Sequence, residues 1–232
     1  MASRRRLRLR LRLRLRPNRA LGYEAIRSAV LLCCTVAVIT SCSHSSTPAQ
    51  SNSAPGSRAD DMIVSIEDVR RIANTDDLSP HAEADLRKPP PADANAPGPC
   101  RPVGHNDLTF GNGWSEFRSA GYHGVTDDTS PGANAIVNGV TQAVARYPNP
   151  DAALSAFHQL ETALQACNNL HDPNYEFILD KPDPSTLRIT ADEWSHLYRT
   201  KSAVMVSVGV VGLQAADQIA GTVLRMVTDR IK

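Results

Sequence analysis

Five cysteines, seven histidines and two tryptophans carry the most specific chemistry in this chain of 232 residues, and their neighbours decide what each can do. Cys33 and Cys34 lie inside an uncharged run, Ala29 to Thr40, while Cys42 follows Ile39-Thr40-Ser41, an aliphatic residue and two small ones. Cys100 and Cys167 stand far apart in the remainder. A metal site is not indicated, because the chain has no CxxC, no HExxH and no paired histidines at helical spacing. Catalysis is not indicated either. His44 and His81 sit in linker-like sequence, and His105, His123, His158, His171 and His196 share no motif. There is no G-x-S-x-G elbow, and the neighbouring acids Asp127-Asp128 and Asp192-Glu193 would point to opposite faces of a strand. Gly111-Asn112-Gly113 lacks the third glycine of a dinucleotide fingerprint and reads as a turn. The residues that fit a ligand groove are Tyr122, His123, Trp194, His196 and Tyr198, since small-molecule clefts combine aromatic walls with a few polar groups. The competing expectation puts Trp194 and Tyr198 beneath the terminal helix as core.

The twelve-residue apolar run is too short for a bilayer core, which takes about 20 helical residues. A basic region, a short apolar run and small residues form the pattern of an export signal. Ile39-Thr40-Ser41-Cys42 resembles a bacterial lipobox, which implies acylation of the Cys42 thiol and cleavage before it. Two or more acyl chains hold a protein stably where one does so marginally. The alternatives are a conventional signal with Cys42 free, or an uncleaved anchor. Ser3-Arg4-Arg5-Arg6-Leu7 resembles a twin-arginine export signal only faintly. Removing residues 1–41 changes the charge, because they hold ten arginines and one acid, Glu24, a net +9. The rest carries 15 basic and 23 acidic residues, so the expected mature protein is acidic and unsuited to nucleic acid. In an exported domain Cys100 and Cys167 are expected to pair, the alternative being two free thiols. Their bridge would close a loop worth about 4 kcal/mol of chain entropy.

These residues must be positioned by elements that the pattern locates. Residues 42–61 are polar and read as a flexible tether, leaving 62–232 as the domain. Ser65 and Asp68 open a short helix near 66–74, and the seven prolines between Ser79 and Gly104 exclude regular structure there. Strands are expected around Trp114 to Tyr122 and through Ile136, Val140 and Val144, the latter with Asn138 and Gln142 in the same register. Asn149-Pro150 starts a helix whose stripe Ala153, Phe157, Leu160, Leu164 ends on Cys167. Tyr175–Asp180, Ser185–Thr190 and Ala203–Val211 alternate as strands with one buried face each, EWSHLYRTK separating the last two. A terminal helix follows, with Leu213, Ala216, Ile219, Ala220, Val223 and Val227 on one stripe. The expected class is α+β, a largely antiparallel sheet with helices packed on it and a possible central cleft.

This order of elements, with GNGW, VTQAVARYPNPDAALSAF, LQAC and AADQIAGTVLRMV, resembles the PknH-like extracellular sensor domain. That is the ectodomain of a mycobacterial receptor-type serine/threonine kinase, a domain also found in stand-alone lipoproteins. The resemblance spans about 62–232 and includes no kinase segment. It implies a cleft for an unidentified extracellular ligand and no catalytic motif. Two features depart from the family pattern: Leu164 stands where a Trp is common, and no cysteine lies near Val208 to Val211 for a second disulfide. The expected protein is a non-enzymatic lipoprotein, without cofactor or metal, anchored on the outer face of the bacterial plasma membrane. Its expected partners are the membrane, through the lipid, and a small molecule, cell-wall fragment or envelope protein. An envelope hydrolase or a lipid carrier are the competing functions.

Overall fold

Residues 204–210 of the strand β7 (Val204–Val211) are all buried, so this strand must lie inside a sheet covered on both faces. The computed structural model describes residues 58–126, 136–192 and 194–232. The expected leader, the Cys42 region, most of the expected tether, Asp127-Asp128 and Glu193 lie outside the described residues. The other strands are β1 (Ser79–Pro80), β2 (Glu116–Thr126), β3 (Ile136–Arg146), β4 (Ile178–Asp183), β5 (Thr186–Ala191) and β6 (Trp194–Lys201). They form one sheet in the order β1-β2-β3-β7-β6-β5-β4, every neighbour antiparallel.

Helices α1 (Ala59–Met62), α2 (Ile66–Ala73) and α5 (Ala216–Asp229) serve one face, where Val140, Val144, Val206, Val208, Val210 and Leu197 meet Val223 and Val227. The opposite face carries α4 (Pro150–Asn168), which crosses from β3 to the far edge strand β4, and the short α3 (Asp107–Phe110). There Phe157, Leu160 and Leu164 pack with Ala143, Met205, Leu187 and Tyr198. The Asn149 side chain accepts from the Ala152 N–H at 2.9 Å and Pro150 opens the helix, so α4 begins where its capping residues dictate. Its far end carries Cys167, joined to Cys100, which fastens the proline-rich segment to the helix.

Four details differ from the sequence expectations. EWSHLYRTK is largely strand, because Leu197 faces one core while His196 and Tyr198 face the other, and this two-sided mixture conceals the alternation. The strands β7 and β6 are buried on two faces rather than one. Strand β4 starts later than Tyr175 and runs through Pro182, which an edge strand tolerates because it need not donate on its outer side. The ordered domain also starts before residue 62: Ala59 is fully buried, and Asp60 pairs with Arg87 and Arg118.

Gln142 settles the meaning of a polar residue in the register of Val140 and Val144. Its amide accepts from the Val64 N–H at 2.8 Å and donates to the Val64 carbonyl at 2.7 Å, pinning the α1–α2 junction to the sheet. Gln142→Leu strands the Val64 N–H in the core and leaves the Val64 carbonyl with the Tyr122 hydroxyl as its donor. We expect a loss of about 1–3 kcal/mol in urea unfolding; a loss under about 0.5 kcal/mol would contradict this role.

Candidate functional site

Residues paired across an antiparallel sheet share a face, so the register shows what the α4 face presents beyond the helix. One cross-strand row reads His123, Gly139, Val211, Trp194, Ala191. The next reads Gly121, Thr141, Gly209, His196, Ile189. Val125 and Val137 pair beyond the first row.

Coverage ends between these rows. A Cβ at Gly121 would come within 2.5 Å of the Ala84 Cβ, so the proline-rich segment lies directly on that glycine. A Cβ at Gly139 would meet only the Val211 side chain and the Tyr122 carbonyl, both from neighbouring strands. No described helix or loop lies over it. Val125, Val137 and Val211 are accordingly 51%, 58% and 45% exposed. These bare valines form an uncovered strip beside the covered part of the α4 face.

The ends of the strip are chemically distinct. At one, half-buried His123 packs its ring 4.6 Å from that of His81, and its Nδ1 is buried without a hydrogen-bond partner among the described residues. Buried polar atoms are nearly always satisfied, so an orphan beside an open surface marks a place for a ligand atom or water. At the other end, half-buried Trp194 meets Phe177 edge-on at 6.4 Å.

The second row looks more catalytic and is not built for it. His196 Nε2 lies 2.7 Å from Ser207 Oγ, the separation of a base and its nucleophile. Yet both residues are buried, the His196 ring stacks on Tyr198 at 4.5 Å, and its Nδ1 edge faces Gly209, where a Cβ would come within 2.9 Å. Among the described residues no carboxylate is bonded to that nitrogen. The glycine therefore makes room for an imidazole used in packing. Among the described residues no group of three His, Cys, Asp or Glu is placed to hold a metal ion.

Of the five residues expected to line a ligand groove, the structure brings two together and buries His196 in the second row. His123 and Trp194, 71 positions apart in the chain, fall in one row on one face. Tyr122 points the other way and donates its hydroxyl to the Val64 carbonyl at 2.7 Å, so it belongs to the core under α1 and α2. Tyr198 is fully buried and accepts from the Gly104 N–H at 2.9 Å, holding down the segment after Cys100. Nor do Trp194 and Tyr198 pack under the terminal helix, for α5 lies across the opposite face. Sequence reasoning missed His81, Val125, Val137 and Val211. The available signal was Gly139, a glycine inside a strand pattern that marks close approach or open surface.

Burial holds the His105 imidazole below its ordinary range; burial, and second the neighbouring His105, hold His196 well below it. Both are then neutral when folded, while the unfolded chain protonates near pH 6.5. Their contribution to stability is complete above that value and is lost as the pH falls below it toward the folded-state values. Urea unfolding should be flat from about pH 8 to 7 and weaken from about pH 6.5 to 5, with a shallower slope in His196→Asn. A profile unchanged across that window would contradict the assignment.

The geometry can be set beside known proteins. A family model described as the PknH-like extracellular domain matches residues 54–230. The extracellular domain of PknH from Mycobacterium tuberculosis, a solved structure, shares 16% identity with this chain. It superposes at a TM-score of 0.58, covering 75% of this chain and 94% of that one. Among curated protein sequences none matches. The structural likeness establishes a common fold at low identity, and the family model extends across most of the chain. On those grounds the chain belongs to the PknH-like extracellular domain family.

Proposed function

We propose that this protein is a lipid-anchored, extracytoplasmic and non-enzymatic lipoprotein whose domain binds a ligand in the manner of a sensor, with the uncovered strip as the binding surface. The family is one of extracellular domains, and no described helix is long and apolar enough to cross a membrane. Attachment through an acylated Cys42, following Ile39-Thr40-Ser41, fits both facts.

The observation that carries the binding reading is the pairing of bare apolar sheet with a committed and an uncommitted end. Val125, Val137 and Val211 offer area to an apolar body, Trp194 offers an aromatic wall, and His123 Nδ1 offers one unsatisfied polar atom. That mixture is typical of recognition sites. The only serine–histidine contact described is buried, which favours binding over hydrolysis. The strip is open rather than enclosed, which favours recognition of a fragment or small molecule over carriage of a lipid.

Two measurements test this. Cys42→Ala should shift the protein from the membrane fraction to the soluble one and abolish palmitate labelling, and persistent labelling would end the lipid assignment. Native mass spectrometry of the full-length protein from its own envelope should find an adduct that Trp194→Ala reduces at least about tenfold. An equal adduct on the variant would remove the strip from the site, and a crosslinked envelope protein in place of an adduct would replace the small-molecule reading.

A further inference from the structure

On the opposite face of the sheet, α5 leaves a groove of about 570 Å³ against β5 and β6, lined by Arg188, Arg199, Arg225, Asp183, Asp217 and Gly221 among others. Its size falls within the range of small-molecule sites. Three arginines there face two carboxylates. The hydrogen bonds separate the two signs.

Both acids accept on each of their oxygens. Asp217 accepts from Ser195 Oγ at 3.0 Å on one oxygen and from Arg188 at 3.1 Å on the other. Asp183 accepts the Ser185 N–H and hydroxyl on one oxygen, and the Thr186 hydroxyl and Arg199 on the other. Desolvation opposes its ionisation, but those bonds outweigh it and hold the carboxyl below the usual range. Neither carboxylate has an oxygen left without a donor.

The arginines are not used up in the same way. A guanidinium carries five N–H donors. Arg188 is committed, to Asp180 and Asp217. Arg199 gives one arm to Asp183, and exposed Arg225 gives one to the Thr222 hydroxyl. The groove therefore keeps unused donors on Arg199 and Arg225 after internal pairing, above a floor that includes buried Leu197 and Leu224.

Gly221 is the independent observation. It sits in the interior of α5, where glycine is the poorest ordinary helix former, yet a Cβ there would meet nothing within 4 Å. No packing contact demands the missing side chain. A glycine whose Cβ would project into an empty groove keeps that space clear for something that approaches the helix backbone.

We propose that this groove is a second ligand site, separate from the strip on the other face, and that it takes a small organic anion. The anionic group is a carboxylate or phosphate monoester gripped by Arg199 and Arg225, and its apolar body lies over Gly221, Leu197 and Leu224. The guanidinium fork matches both anions.

The test uses the full-length chain in detergent, with phenyl phosphate and phenylacetate as probes, inorganic phosphate as the bare anion, and calorimetry as readout. At least one aromatic probe should bind, and inorganic phosphate should bind more weakly. Arg225→Gln should weaken the aromatic probe about tenfold with an unchanged melting temperature. Gly221→Leu should raise or preserve the melting temperature while abolishing binding, and Trp194→Ala should leave binding intact. The proposal is overturned if neither aromatic probe binds up to about 10 mM, or if inorganic phosphate binds as tightly. It is also overturned if Arg225→Gln binds like the parent, or if only phosphatidylglycerol vesicles bind. Should Gly221→Leu fail to fold, the Arg225→Gln comparison still decides.

Discussion

Strand β7 pairs with β3 on one side and with β6 on the other, and both of its faces are covered. That position constrains the rest of the domain. The valines at 204, 206, 208 and 210 require an apolar layer, which α5 provides immediately downstream with help from α1 and α2. Met205, with Leu187, Ile189 and Tyr198 on the same face, requires another, and α4 provides it on its way from β3 to the distant edge strand. Pairing β7 with β3 closes the sheet between the hairpin β2–β3 and the meander β4 to β7, so residues far apart in the chain become row neighbours. The Cys100–Cys167 bridge then fixes the proline-rich segment beside α4, and Gln142 does the same for the α1–α2 junction.

Because the two faces are covered by unlike elements, they are left open in unlike places. The α4 face loses its cover at Gly139, and the opposite face opens where α5 passes beside β5 and β6. The histidines divide along the same line. His196 is deep, stacked on Tyr198 and bonded to Ser207, whereas His123 lies at the margin with one ring nitrogen unsatisfied among the described residues. A buried and satisfied imidazole contributes to a unique core. A marginal, unsatisfied one is available for recognition.

Charge reinforces that distinction between average and local chemistry. The residues after the leader carry eight more acidic than basic groups, yet the α5 groove offers donors. At physiological salt the field of an acidic domain is screened within about 8 Å, so local hydrogen-bond bookkeeping outweighs net charge in deciding what the groove can hold. Asp183 and Asp217 show how: held by Ser, Thr and Arg donors, they set Arg199 and Arg188 in place.

Much of the fold was legible in the chain because it depends on local pattern. The Asn149-Pro150 start, the stripe ending on Cys167 and the alternation of the last strand follow from capping geometry and from the periods of helix and strand. The strand β6 was not legible, since burial on two faces by two different cores erases the polar-apolar alternation that would reveal it. The site was half legible. Residue type singled out Tyr122, His123, Trp194, His196 and Tyr198 alike; parity in a sheet of fixed register removes Tyr122, and the extent of the cover over the α4 face removes His196 and Tyr198. Local sequence determined most of the elements and the acidic balance of residues 42–232. Tertiary structure decided which side chains share a face and where that face is bare, because register and the reach of α4 are set by contacts between segments that the sequence does not place side by side.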